Sequence, residues 1–214
     1  MSFDRLAIHY RWMECVLAGN KLQRCRIAFL GRVPAAQNVL IAGEGNGRFL
    51  LECQRMLPVA RTTVVDASAL MLRAARNRLV RHGLDLHRVE LVHSPVLRWA
   101  PEGNVFDLIV THFFLDCFGP DELKRTVGHL ASAAAPDAAW LLADFQMPGR
   151  GPERCRAQII HAIMYAFFQL VARLPARRLT PPDASLAAHG FRLLERQNTE
   201  WNLLHSDFWA RSSV

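Results

Sequence analysis

Two short stretches carry the residue types that hold a nucleotide-like molecule. Val39-Leu40-Ile41-Ala42-Gly43-Glu44-Gly45-Asn46-Gly47 is an apolar run ending in a glycine-rich loop, and Thr62-Thr63-Val64-Val65-Asp66 is a β-branched run ending in a carboxylate. Glycines let backbone amides approach a ligand, and an aspartate placed there can accept from both hydroxyls of a ribose. A dinucleotide loop has a third small residue that lets the next helix pack close to the strand. Position 48 holds Arg48 instead, so the spacing favours a cofactor without a pyrophosphate. No Gly-Lys-Ser/Thr follows, which excludes a P-loop.

A second set of polar groups lies in Thr111-His112-Phe113-Phe114-Leu115-Asp116-Cys117, directly after the apolar run Phe106-Asp107-Leu108-Ile109-Val110. Ligands of open α/β sheets bind at such strand ends. His112 titrates near neutrality and Asp116 is a carboxylate, so either is a candidate base for an acceptor that must lose a proton. The alternatives are that His112 caps the strand or touches a ligand through its backbone, and that Asp116 begins the next turn. Gln158, His161 and Tyr165 share a helical face that either looks into an acceptor pocket or is buried and satisfied inside the fold. Trp201, His205 and Trp209 recur at intervals of four and read as core cover or as a pocket rim. Trp12 and Trp99 read as packing.

The elements that must position these groups alternate. Phe3, Leu6, Tyr10, Met13 and Leu17 mark an amphipathic helix over 3–18, and Leu22, Cys25 and Phe29 a shorter one. Strands are expected over 37–42, 62–66, 88–93, 106–111 and 138–145, with helices over 48–57, 68–82 and 120–135 between them. That order calls for a parallel, doubly wound sheet. Ser68 is a natural N-cap, and Asp121 and Glu122 suit the positive end of their helix. Residues 154–174 are apolar almost all round, and read as a membrane span, an interfacial helix or, best, a packed lid. After Pro181-Pro182 come a short helix and a closing antiparallel pair over 191–198 and 202–208.

Composition bounds the rest. The 214 residues suit one α/β domain, and the net charge of +7 comes from arginines spread along the whole chain. Without a dense basic run, nucleic acid is not the expected partner. Cys15, Cys25, Cys53, Cys117 and Cys155 are scattered singly, which argues against a disulfide framework and a zinc site. No metal is expected. The absence of an apolar leader in Met1-Ser2-Phe3-Asp4-Arg5 and the unpaired cysteines lead to a cytoplasmic expectation. Peripheral contact with a membrane stays open.

In this order and spacing the motifs resemble class I S-adenosylmethionine-dependent methyltransferases of the small-molecule type. The resemblance runs over about residues 36–147 and is carried by Val39 to Gly47, by Val64-Val65-Asp66-Ala67-Ser68 with Met71-Leu72, and by Phe106 to Thr111. Phe3 to Tyr10 is similar to the family's lead-in helix. The resemblance implies an α/β fold: a doubly wound, mostly parallel seven-stranded sheet with its last strand antiparallel, helices on both faces and N-terminal cap helices. It implies a single domain over 1–214, with cap helices in 1–35, a cofactor core in 36–147, a lid helix in 148–180 and closing elements in 181–214.

It further implies that Gly43, Glu44, Gly45, Asn46 and Gly47 lie under the methionine part of the cofactor and that Asp66 takes the ribose hydroxyls. Ala67 and Met71 would lie near the adenosine, with Ser94, Pro95 and Val96 at the adenine edge. Thr111, His112 and Phe113 would face the methyl group and the acceptor, and Tyr10 would close the pocket. Phe114, Gln158, His161 and Tyr165 would line the acceptor space.

The chain departs from the family at Ile41 and Pro95, where most members carry acids. Glu44 stands in for the first, or backbone carbonyls suffice; Arg11 or Arg48 is a candidate partner for the cofactor carboxylate. The implied activity is methyl transfer to a small, apolar or aromatic acceptor. Its rivals are a nucleic-acid methyltransferase and a methyltransferase-like protein that binds without chemistry. The first lacks the expected Asn/Asp-Pro-Pro-Tyr/Phe and Pro-Cys sequences; the missing acids keep the second open. A nicotinamide-binding protein is disfavoured by Arg48.

Overall fold

The computed structural model describes residues 20–33, 35–101, 105–172 and 179–211, with the backbone alone over 163–172. The expected helix over 3–18, with Tyr10, Arg11 and Trp12, lies outside the described residues, as does the side chain of Tyr165.

The described elements are α1 (Lys21–Ile27), β1 (Asn38–Ala42), α2 (Arg48–Met56), β2 (Arg61–Asp66), α3 (Ala69–Arg81), β3 (Val89–His93), β4 (Phe106–His112), α4 (Pro120–Ser132), β5 (Ala134–Phe145), α5 (Pro152–Ala172), α6 (Asp183–Ala188), β6 (Phe191–Thr199) and β7 (Leu204–Arg211). They form one seven-stranded sheet in the order β3-β2-β1-β4-β5-β7-β6. Strands β1 to β5 pair in parallel, and β7 runs antiparallel to both of its neighbours. This is the α/β arrangement that the alternating elements and the family resemblance call for.

β1 shows why its sequence is apolar throughout. Val39 and Ile41 pack with Phe49, Leu50 and Leu72 of the helices on one face. Leu40 and Ala42 pack with Leu123, Val127 and Leu130 of α4 on the other. A strand buried on both sides needs apolar residues at successive positions. Asp107 fixes its start, with the carboxylate accepting from the amides of Gln37 at 2.8 Å and Asn38 at 3.0 Å. β5 begins earlier than the apolar pattern suggests. The β4–β5 register shifts between Phe106 and Leu108, which accommodates Pro136-Asp137 at the start of the longer strand.

Gly47 performs the close-packing role that Arg48 cannot. It sits at φ +81°, and a Cβ there would lie 2.6 Å from the Ala75 Cα of α3. Gly83 has a similar φ of +69° with nothing within 4 Å. Gly47→Ala is therefore expected to cost about 2–4 kcal/mol, combining left-handed strain with backbone overpacking, whereas Gly83→Ala costs only about 1 kcal/mol. Urea unfolding of the two variants checks this; equal losses would contradict the packing argument.

The spacing of Trp201, His205 and Trp209 is not helical. Glu200, Trp201 and Asn202 have φ of 54°, 60° and 57° and form the tip of the β6–β7 hairpin. Trp201 is 69% exposed there, while His205 and Trp209 are buried on β7, so the core reading fails for Trp201 and holds for the other two. On α5, Ala157 and His161 are buried and Gln158 is exposed, so Gln158 does not share the inward face with His161. Among the described residues no helix is long and apolar enough to cross a membrane.

Candidate functional site

The strand order reverses between β1 and β4, and the crevice outside their carboxyl ends is where such sheets take ligands. The glycine loop stands at that point. Gly43, Gly45 and Gly47 all lie in the left-handed region, at φ +70°, +69° and +81°. The Gly43 amide donates to the Val65 carbonyl at 2.9 Å, which ties the loop to β2. At the end of β2, half-buried Asp66 accepts from the Gly45 amide at 3.2 Å and the Ser68 amide at 2.8 Å. These bonds aim a carboxylate across the loop. Ser68 in turn caps α3, accepting from the Met71 amide at 3.3 Å.

The residues named for the adenosine side gather around Asp66. The Ser94 amide donates to the Asp66 carbonyl at 3.1 Å, and His93 Nε2 meets the Ala67 carbonyl at 3.2 Å. Pro95 is exposed, and Val96 is buried under it. Asn46 keeps the loop in place from the other side, with its carbonyl accepting from Arg78 Nε at 2.9 Å.

Glu44 turns away from the place left open by Ile41. Its Oε1 accepts from the Leu50 amide at 2.9 Å, at the positive end of α2. Burial pushes its carboxyl up to about 7, against the lowering effect of the Leu50 amide and of Arg26. Its first role is thus to hold the loop under α2. Arg48 also points elsewhere, with Nη2 at 3.4 Å from Asn20 Oδ1.

Among the described residues, Arg26 of α1, only 5% exposed, comes near this region. Its guanidinium lies 5.2 Å from the centroid of the Phe113 ring and close enough to Glu44 and His112 to bias both titrations. The sequence signal was present but faint. Arg26 stands four after Leu22 and three before Phe29, on the face that the apolar residues bury.

Neighbours in β4 face opposite ways, as the strand period requires. His112 packs edge-on against Phe49 of α2, with ring centroids 4.5 Å apart. Burial, aided by Arg26, pushes its pKa well below the usual value, and its Nδ1 has no hydrogen-bond partner among the described residues. A buried imidazole of this kind holds a proton poorly, which weakens it as a general base. Thr111 lies on the other face, where its Oγ1 accepts from Trp140 Nε1 at 2.8 Å. Its hydroxyl is thus spent on the core, a correction to the expectation that it faces the methyl group.

Phe113 and Phe114 also divide. Phe113 takes a left-handed φ of 52°, its amide donates to the Ala143 carbonyl at 2.7 Å, and its ring meets Phe145. His161 of α5 covers Phe145 from above at 5.9 Å, and burial lowers its pKa. Phe114 lies over the glycine loop, where a Cβ on Gly43 would come within 2.2 Å of its ring. Phe114 therefore belongs to the loop side, and Phe113 to the apolar wall beneath α5.

Asp116 follows in a 3-10 turn, Leu115–Cys117, and is 7% exposed. Burial pushes its carboxyl up to about 6. Asp144, which no reading of the sequence singled out, lies at the end of β5 and is 2% exposed. Burial first, and then Asp116, push the Asp144 carboxyl well above the usual range. The site thus combines a glycine loop, a carboxylate held across it, a buried arginine and two buried acids near an aromatic wall. Among the described residues no group of three or more His, Cys, Asp or Glu is arranged to hold a metal ion.

Residues 39–137 match the methyltransferase-domain family. Trans-aconitate 2-methyltransferase of Paracidovorax citrulli is 35% identical over 129 residues, which cover 58% of this chain and 44% of that protein. The chain thus spans less than half the length of this curated relative. Among solved structures, mitomycin 7-O-methyltransferase superposes with a TM-score of 0.65 at 18% identity, over 99% of this chain and 61% of that one. The 1,6-didemethyltoxoflavin N1-methyltransferase of Burkholderia thailandensis, solved with 1,6-didemethyltoxoflavin and S-adenosylhomocysteine, gives 0.66 at 17% identity, over 98% of this chain and 88% of that one. At these identities the structural likeness concerns the fold.

Proposed function

We propose that the chain is a class I S-adenosylmethionine-dependent methyltransferase and that it methylates a small, apolar or aromatic acceptor; the match of residues 39–137 to the methyltransferase-domain family supports the reading. The observation that carries the reading is the glycine loop with Asp66 across it, set at the switch point of the sheet.

The residues present suit the cofactor. Gly43 and Gly47 let the loop pass close to the Phe114 ring and Ala75, which fixes its backbone at the end of β1, and half-buried Asp66 offers its carboxylate to a ribose diol. Arg26 is the cation that would meet the α-carboxylate, with backbone carbonyls of the loop for the ammonium group. When bound, S-adenosylmethionine supplies an electrophilic methyl group, so the protein need make no covalent bond of its own. What remains for the chain is alignment, exclusion of water and removal of a proton. Phe113, Phe145 and His161 form the dry wall, and Asp116 is the base. Two buried carboxyls at this end oppose a polycarboxylate of the kind named for the Paracidovorax relative, and favour a neutral acceptor.

Calorimetric titration with S-adenosylhomocysteine is expected to give one saturable site per chain. Transfer of labelled methyl is expected onto apolar aromatic compounds bearing O–H or N–H groups, in a panel that also holds trans-aconitate, RNA and DNA. No binding would overturn the cofactor assignment. Turnover confined to nucleic acid or polycarboxylates would overturn the acceptor assignment.

A further inference from the structure

Trp201 stands exposed at the tip of the β6–β7 hairpin, and its surroundings hold it there. Glu200, Trp201 and Asn202 are three successive left-handed residues, none of them glycine, a conformation that persists only where neighbours enforce it. Two helices do so. Lys21 of α1 pairs with the Glu200 carboxylate, Arg156 Nη1 of α5 donates to the Glu200 carbonyl at 3.1 Å, and Asn202 Nδ2 donates to Glu153 Oε2 at 2.8 Å. The Arg156 guanidinium lies 5.9 Å from the centroid of the Trp201 ring.

α5 continues that surface. Its charged residues are Glu153, Arg154 and Arg156, and residues 157–172 contain no Asp, Glu, Lys or Arg. Cys155, Gln158, Ile159 and Ala162 recur at helical spacing on one face, and all four are exposed, Ile159 to 62%. A helix face that meets only water carries charged side chains, and this one carries none. Ile159 follows Arg156 by three residues, so it borders the contact between Arg156 and Trp201. The charge at the edge of the patch has one sign. Arg154 Nη1 donates to the carbonyls of Pro148 and Gly149, which brings the exposed Arg150 segment to the start of the helix. Among the described residues no carboxylate lies within ion-pair distance of Arg150, Arg154 or Arg156. The acids Glu153 and Glu200 are already taken up by Asn202 and Lys21.

We propose that this face rests on an anionic lipid bilayer, with Trp201 and Ile159 entering the headgroup region and Arg150, Arg154 and Arg156 meeting lipid phosphates. Tryptophan suits the headgroup level, where its ring is half dry and its N–H stays wet. Apolar insertion and attraction of cations to acidic lipid add together in surface binding, and this patch supplies both without a membrane-crossing helix. A second copy of the chain suits the face less well, because the patch offers no free carboxylate to arginines. A nucleic acid would satisfy the arginines and leave Ile159 in water. The inner side of α5 covers Phe145 through His161, so the helix stands between the proposed lipid surface and the aromatic wall. The proposal does not depend on the methyl-transfer reading.

The test is flotation of the full chain with vesicles of phosphatidylcholine containing about 30% phosphatidylglycerol, against vesicles of phosphatidylcholine alone. Uptake by the acidic vesicles only is expected, weakened by high salt and accompanied by a blue shift of tryptophan emission. Trp201→Ala should abolish most of that shift and lower the partition about threefold to tenfold, and Ile159→Asp, which places a charge on the exposed face, should lower it at least as much. Arg150→Gln combined with Arg154→Gln should lower it about tenfold or more. Circular dichroism checks that each variant is folded, and the exposure of Ile159 and Arg150 makes those two changes the least demanding on the fold. No uptake by acidic vesicles, equal uptake by neutral ones, or partition unmoved in all three variants would overturn the proposal. So would a dimer in sedimentation that Ile159→Asp dissociates, which assigns the face to a second copy, or salt-sensitive retention on RNA without vesicle uptake.

Discussion

Replacing Arg196 by methionine is expected to destabilise the protein by about 3 kcal/mol at neutral pH. Asp207 is fully buried on β7, and Arg196 grips both of its oxygens, with Nε at 2.7 Å and Nη2 at 2.6 Å. The same Nη2 reaches Asp183 at 2.8 Å, so one guanidinium joins β6, β7 and α6. His205 Nδ1 and Trp209 Nε1 complete the shell around Asp207 at 2.9 and 3.2 Å. Burial alone would raise the Asp207 pKa, but Arg196 and His205 more than offset it and hold the carboxyl below the usual range.

The sign of the pH effect follows. A depressed carboxyl contributes stability above its unfolded pKa and loses it as pH falls through the folded value. Without Arg196 the buried carboxylate has lost its counter-charge and takes up a proton at higher pH. The gap between the wild type and Arg196→Met is therefore full at pH 7–8 and closes on acidification through the carboxylate range. Urea unfolding across that range measures it. Adding Asp207→Leu should recover part of the loss, because the stranded charge is gone. A deficit independent of pH, or a double variant no more stable than the single one, would contradict the account.

Asp66→Ala is expected to weaken S-adenosylhomocysteine binding about a hundredfold. The carboxylate would meet two ribose hydroxyls, and losing charge-assisted hydrogen bonds there costs about 3 kcal/mol, roughly two powers of ten in affinity. A second contribution comes from the loop. Gly45 and Ser68 both donate to this carboxylate, so its removal also frees the cradle and the start of α3. Calorimetry reports the affinity, and circular dichroism checks that the sheet is retained. Affinity within threefold of the wild type would remove Asp66 from the cofactor site and, with it, the main support for the functional reading.

Some expectations were legible because they depend on near neighbours. The apolar stretch of β1 signals burial on both faces, Ser68 signals the start of α3, and three alternate glycines signal a loop in left-handed conformations. The opposite facing of Thr111 and His112 was also legible in principle, since β4 alternates. An expectation that both face the methyl group ignores that period. Glu44 was harder, because a carboxylate in the loop can reach either the crevice or the end of α2. Only the position of the Leu50 amide decides between them.

The sequence by itself determined the order of the elements, the parallel sheet with its antiparallel end, the glycine cradle and the acid at the tip of β2. Each follows from apolar period, backbone conformation or capping within a few residues. The tertiary structure alone decided that Asp144 is buried at the end of β5, that Arg26 comes near the loop, that Gly47 admits Ala75 and that Arg196 closes on Asp207. Those contacts join residues remote in the chain. They depend on strand register and helix approach, which the packing of the whole core fixes and no local pattern records.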